Sequence, residues 1–233
     1  PVLTGIACKD GEMAAADGFR LVSCKSDKLN FGLGTDKQVQ IPASAATMVR
    51  QLFSKEETLE VAFEITEINP VVDGKTLKKQ TIRRVYFRSG NTTILSELTQ
   101  GKFPNYEQLI PDHFSCKVSF STPLMLQRLR MIDYFDLVSG IIRLSFQKNE
   151  AGEHECLMNA GIDDFGHYAM RFPVKIVAGE EARIAFNHKY IEEAIRHFSM
   201  CSLELTSPSS PGIFTGDIEE VAVLVMPMFV TWD

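Results

Sequence analysis

The sequence predicts an α+β fold in which helices lie on one face of antiparallel sheets, with one strand–helix–strand unit used repeatedly. Three observations carry this reading. The unit occurs three times, starting at positions 39, 118 and 184. The segments inside it repeat apolar residues at helical spacing. The segments flanking it alternate apolar and polar residues, as strands with one wet and one buried face do.

The first copy runs from Val39-Gln40-Ile41-Pro42 through a helix seeded near Ser44 to Leu59-Glu60-Val61-Ala62-Phe63-Glu64. Its helix places Ala45, Met48, Val49 and Leu52 at i, i+3, i+4 and i+7, one face of a 3.6-residue helix. The second runs from Val118-Ser119-Phe120 to Ile142-Arg143-Leu144-Ser145-Phe146-Gln147. Its helix starts at Thr122-Pro123, where the threonine can accept from a free N–H and the proline lacks one. Met125, Leu129 and Ile132 share its apolar face, with Arg128 in the fourth place. The third runs from Ile184-Ala185-Phe186 to Leu203-Glu204-Leu205-Thr206, with Asn187 as cap and Ile191, Ala194, Ile195 and Phe198 as the apolar stripe.

At 233 residues and 45% hydrophobic content, the chain can bury one large core or two modest ones. Two domains are expected, 1–111 and 112–233. The junction falls in Phe103 to Asp112, an extended connector in which Pro104 and Pro111 remove ladder donors. Turn signals lie at Asp73-Gly74, Ser89-Gly90-Asn91, Ala151-Gly152 and from Ser207 to Gly212. No apolar run approaches the roughly 20 residues that cross a bilayer, and the first residues do not read as a secretory leader. Five cysteines, widely spaced and without CxxC, fit unpaired buried thiols in a reducing cytoplasm.

A net charge of −6 argues against a conventional nucleic-acid binder, whose affinity comes from many phosphate contacts. Lys75, Lys78, Lys79, Arg83, Arg84 and Arg88 nevertheless form a stretch free of acid. Its plain reading is the solvated face of a long hairpin. Catalytic patterns are missing. Gly32-Leu33-Gly34 lacks the continuation of a phosphate loop, and neither GxSxG nor HExxH occurs. His154-Glu155-Cys156 and His197 with Cys201 are stray pairs, short of the four ligands zinc needs, so no metal and no cofactor is expected. Asp163-Asp164, Glu180-Glu181, Glu192-Glu193 and Glu219-Glu220 are consecutive acids that point to different faces and read as solvated surface. Asp164 and His167 have no nucleophile beside them. The chain is not expected to be an enzyme.

The ends of the chain are more telling. Ala15-Ala16-Asp17-Gly18-Phe19-Arg20-Leu21-Val22 sets an Asp-Gly turn before a strand. Val221 to Phe229 reads as a last strand with Met226 and Met228 around Pro227, either a satisfied core strand or a surface for varied apolar peptides. Five motifs then occur in one order: Pro1-Val2-Leu3-Thr4-Gly5-Ile6; Ala16 to Leu21; Gly101-Lys102-Phe103-Pro104-Asn105-Tyr106 with Ile110-Pro111; Phe186-Asn187-His188-Lys189-Tyr190; and Val225-Met226-Pro227-Met228. Each is weak alone. Together they resemble the bacterial sliding clamp, the β subunit of DNA polymerase III, over essentially the whole chain.

The resemblance implies tandem DNA-clamp domains corresponding to the middle and C-terminal domains of a three-domain subunit that closes a ring as a dimer. Two complete domains would hold four strand–helix units, and three are visible, so the chain is expected to be a fragment that cannot close the ring. A natural two-domain, trimeric clamp is the alternative. The resemblance further implies a processivity factor that surrounds duplex DNA. Its partners would be a replicative polymerase subunit, a clamp loader and repair polymerases, bound through linear motifs. No membrane is involved, and the location is the bacterial cytoplasm, at the nucleoid. A repeat-built interaction module with no DNA role is the competing reading.

By matching position, the peptide cleft would use Leu3, Ala16, Gly18, Phe19, Arg20, Leu21, Pro104, Gln108, Leu109, Leu224, Val225, Met226, Pro227 and Met228. Arg20 would hold a carbonyl or carboxylate, or form a rim salt bridge. DNA would meet Arg50, Arg128, Arg130, Lys189 and Arg196 through phosphates, with Glu192 and Glu193 weakening the last pair. Three departures bear on the cleft. Phe19 stands where the family often has histidine, Phe229 replaces a common basic residue, and Thr231-Trp232-Asp233 extends the end so that Trp232 could narrow the groove.

Overall fold

The computed structural model describes residues 3–33, 37–56, 58–68, 71–72, 75–76, 80–133, 140–162 and 166–232. It divides into two compact units, Pro1–Asp17 with Cys24–Pro104 and Gly18–Ser23 with Asn105–Asp233. Residues 105–111 thus group with the second unit, as does the short stretch 18–23 near the start of the chain. Pro1, Val2, Gly34, Asp73, Gly74, Lys78, Lys79, Asp163, Asp164 and Asp233 lie outside the described residues, as do the side chains of Lys75 and His167.

In the first unit, β1 (Gly5–Lys9) forms a hairpin with β2 (Glu12–Ala16). The next strand, β3 (Arg20–Lys25), begins in the second unit and ends in the first. On its other side β1 pairs with β4 (Val39–Pro42), which leads into α1 (Ala43–Phe53). A second sheet has the order β5 (Glu60–Ile68), β8 (Gln80–Ser89), β9 (Thr92–Glu97), with the short pair β6 (Val71–Val72) and β7 (Lys75–Thr76) between β5 and β8 in the chain. Helix α1 touches β1, β4 and β9, and Ala45, Phe53, Val85, Phe87 and Ile94 close the core.

The register of β5 against β8 sets Glu60 opposite Arg88 and Glu64 opposite Arg84, and Arg84 also faces Glu97 of β9. Opposite charges across strands stabilise the pairing modestly. Arg83 and Arg88 are exposed. Arg84 and Arg88 therefore share the wetter face of the hairpin, as its plain reading expects, whereas Arg83 lies on the face of buried Val85 and Phe87.

The second unit opens with a single 3-10 turn at Glu107–Leu109 and continues through β10 (Cys116–Ser121), α2 (Thr122–Asp133), β11 (Ile141–Lys148), β12 (His154–Ile162), β13 (Gly166–Pro173), β14 (Lys175–Gly179), β15 (Ala182–Asn187), α3 (His188–Ile195), β16 (Met200–Leu205), β17 (Gly212–Gly216) and β18 (Val221–Val225). Its strands run β14-β10-β16-β17-β18-β3 in one sheet and β13-β12-β11-β15 in the other. Met125, Leu129 and Ile132 of α2 and Ile191 and Ile195 of α3 fill one core with Leu144, Phe146, Met158, Phe186 and Phe214 from the sheets. All three expected strand–helix–strand units are present: β4-α1-β5, β10-α2-β11 and β15-α3-β16.

Several local expectations are corrected. In α1 the buried residues are Ala45 and Phe53, with Val49 half-buried, whereas Met48 and Leu52 are 49% and 59% exposed. Helix α1 begins at Ala43, beside Ser44 as expected, but no side chain caps it. Thr122 is buried with its hydroxyl unpartnered, so it does not cap α2. The helix instead continues directly from β10, and the Thr122 N–H donates to Ser199 O at 3.3 Å. Asn187 does cap α3, accepting the Lys189 N–H at 3.0 Å. The connector is not fully extended: Phe103 and Tyr106 are buried and the 3-10 turn follows. The last strand ends at Val225, two residues before Pro227, because a proline cannot donate to a ladder.

Candidate functional site

Gly18 adopts φ +94° immediately before Phe19, and a Cβ there would meet no atom within 4 Å. Its backbone angle, and not space, is what requires glycine at this turn. Beyond it, β3 lies beside β18, so segments from opposite ends of the sequence become sheet neighbours. The Met226 N–H donates to Phe19 O at 2.8 Å. After Pro227, the Met228 N–H donates to Ala185 O, also at 2.8 Å. Ala185 belongs to β15, the outer strand of the other sheet of this unit. The C-terminal segment therefore leaves one sheet and joins the rim of the other across Pro227.

Helix α3 completes this arrangement. The Phe19 ring stacks on Tyr190 with centroids 5.7 Å apart and planes at 24°. The Arg20 guanidinium lies 4.9 Å from the centroid of the same ring and forms an ion pair with Glu193. Tyr190 and Glu193 are three residues apart on α3, so both point to one side of the helix. Neither was singled out for the cleft. The signal available was their helical spacing behind the Asn187 cap, within and just after the Phe186 to Tyr190 motif. His188, also missed, is buried, and its Nδ1 donates to Gly140 O at 2.9 Å, pinning the approach to β11 onto the start of α3.

The expected cleft residues divide into surface and support. Phe19 is 53% exposed, Met226, Pro227 and Met228 are half-buried, and Phe229 is 88% exposed. Leu21, Leu224 and Val225 are buried and hold the strands rather than offering a surface. Gln108 and Leu109 are exposed in the 3-10 turn of the second unit. Leu3, Ala16 and Pro104 belong to the first unit, where Leu3 and Pro104 are exposed and Ala16 is half-buried. Trp232 packs on Arg183, whose guanidinium is 5.0 Å from its ring, so its side chain is engaged along β15.

Of the basic residues considered for DNA, Arg50, Arg130, Lys189 and Arg196 are exposed. Arg130 and Arg196 line a groove of about 580 Å³ floored by Leu126 and Phe198. Arg128 is half-buried, with its Nε buried and unpartnered and its Nη1 on Met131 Sδ at 3.9 Å. Burial pushes the thiols of Cys8 and Cys201 up to about 12, the opposite of what a nucleophile needs. Among the described residues no group of three His, Cys, Asp or Glu side chains could hold a metal, and no helix is long and apolar enough to cross a membrane.

Strand–helix–strand units whose helices pack against antiparallel sheets are a fold this chain shares with solved DNA polymerase III β subunits. The particular relatives are bacterial β sliding clamps. The chain is 26% identical over 239 residues to the β sliding clamp of Synechococcus elongatus, covering 97% of this chain and 58% of that protein. It is 24% identical over 210 residues to the clamp of Staphylococcus aureus, covering 84% and 48%. The DNA polymerase III β subunit of Thermotoga maritima shares the fold with a TM-score of 0.76 at 20% identity, over 98% of this chain and 58% of that one. A DnaN sliding clamp of Pseudomonas aeruginosa bound to griselimycin gives a TM-score of 0.77 at 19% identity, over 99% and 58%. No family model matches the sequence. The chain thus spans a little over half the length of several of the proteins it resembles.

Proposed function

We propose that this chain supplies the middle and C-terminal domains, 1–111 and 112–233, of a DNA sliding clamp. Such a clamp is a non-catalytic processivity factor that surrounds duplex DNA and binds short peptides of polymerases and repair proteins. The observation that carries this reading is the Met226–Phe19 hydrogen bond, which joins the two motif-bearing ends of the sequence beside an exposed apolar surface. An apolar anchor of a flexible peptide would dock there, with Phe19, Met226 and Met228 as the contact residues. Adaptable methionines suit a site that serves several partners in turn.

The duplex would be held by enclosure in the full-length ring, with Arg50, Arg130, Lys189 and Arg196 touching phosphates. Enclosure removes the need for tight binding and reconciles the role with a net charge of −6. Arg128 contributes less, since its Nε is withdrawn from solvent. A cytoplasmic, nucleoid-associated location follows from the same role.

The test is fluorescence anisotropy with a labelled short peptide ending in apolar residues. Binding with a Kd on the order of 1 μM is expected. Met226→Ala combined with Phe19→Ala should weaken it by tenfold or more, since both side chains are accessible at the surface. Unchanged affinity in that variant would falsify the assignment. The acidic balance favours one other reading, an interaction module without DNA. Gel filtration of the full-length gene product separates the two: a ring-sized oligomer supports the clamp, and a monomer supports the module.

A further inference from the structure

Arg20 is the cleft cation on which a peptide carboxylate would be expected to land, yet its neighbours already occupy it. The guanidinium is ion-paired with Glu193 and lies over the Tyr190 ring, leaving its side chain 28% exposed. Phe19 stacks on that same ring, so one turn of α3 grips two consecutive residues of the 18–23 segment. We infer that Glu193 is a positioning residue that commits Arg20 to Tyr190, so that the site gives no advantage to a peptide end that presents a carboxylate. This rests on the peptide-binding reading above.

The argument is one of charge and geometry. A guanidinium offers five donors in one plane, and its face is the part that interacts with a ring. With Tyr190 against the face and Glu193 at Nη1, an arriving carboxylate would meet a cation whose charge Glu193 already offsets. It would also stand beside the Glu193 carboxylate, and like charges at close range oppose binding. Neutral contacts on Phe19, Met226 and Met228 carry no such penalty. Replacing Glu193 by glutamine keeps its length and its hydrogen-bonding capacity while removing the negative charge that it places on Arg20.

Two forms of one peptide test this, identical except for a C-terminal carboxylate or a C-terminal amide, titrated at about 50 mM and 300 mM salt. Wild-type protein should bind the two forms within about twofold. E193Q should favour the carboxylate form by about fivefold at low salt, the size of a partly exposed ion pair, and lose most of that preference at high salt. Adding Arg20→Gln to E193Q should return the ratio to its wild-type value, which separates a charge effect from a general loss of structure. A tenfold carboxylate preference in the wild type, or an unchanged ratio in E193Q, overturns the inference and leaves the peptide site standing. Failure of both forms to bind wild-type protein removes the site itself, and the inference with it.

Discussion

A methyl group added at Gly212 would stand 2.6 Å from Cζ of Phe186 and 3.0 Å from Cδ1 of Leu203, so β17 carries glycine where the aromatic core needs room. Gly212→Ala should destabilise the second unit by about 1–3 kcal/mol, read as a lower urea midpoint; an unchanged midpoint would mean that Phe186 can move aside. Asp217 works differently. Its carboxylate accepts the Ser199 N–H at 2.8 Å, and that bond holds its pKa below the ordinary 3.8. A depressed carboxylate adds stability that is present at neutral pH and is lost as the pH falls through the folded-state pKa. Asp217→Asn should therefore flatten the acid limb of the stability curve below about pH 4, and leave its shape near pH 7 unaltered. Cysteines give a third check. Cys8, Cys116, Cys156 and Cys201 are buried and Cys24 is half-buried, so one thiol should react with a soluble maleimide well before the rest. Equal labelling rates for all five would contradict the described burial.

At the scale of elements, α1 shows how a periodic pattern can be correct in type and wrong in orientation. Ala45, Met48, Val49 and Leu52 specify a helix, but Ala45, Val49 and Phe53 form an overlapping stripe at i, i+4 and i+8. The sheets selected that second stripe, and the first pattern does not say which flank will meet β1, β4 and β9. Phe53→Ala should thus cost about 3–5 kcal/mol, whereas Leu52→Lys should stay within about 0.5 kcal/mol, both by denaturant unfolding. Equal costs would show that the face has been misassigned. In α3 the pattern was unambiguous, since Ile191, Ala194 and Ile195 are buried and Asn187 caps the helix, although Phe198, also buried, lies past its end at Ile195. Thr122 carried the same promise for α2 without its outcome: the hydroxyl was spent on burial, and a capping preference cannot see that.

Among the described residues, the recurring unit is present in three places, and the helices within it pack on antiparallel sheets as expected. A saturating peptide provides a global readout of the proposed role. At about 100 times its Kd it should raise the stability of the second unit by about 2.7 kcal/mol, because it binds folded protein alone. No thermal or chemical shift at that concentration would argue against a site on β3, β18 and α3. The candidate site was legible as motifs at opposite ends of the sequence. Its division into exposed Phe19, half-buried Met226 and Met228 and buried Leu21, Leu224 and Val225 was not, because alternation in a strand does not say which face the neighbouring sheet covers.

By itself the sequence determined the strands and helices of the three recurring units, their order and the resemblance to bacterial clamps. These follow from spacings of two and 3.6 residues and from motifs a few residues long, all set by near neighbours in the chain. Tertiary structure alone decided that residues 18–23 group with the second unit, and that Arg20 answers to Glu193, 173 positions away. Strand partners and ion pairs at that separation are chosen by packing of the whole chain, and no local pattern records the choice.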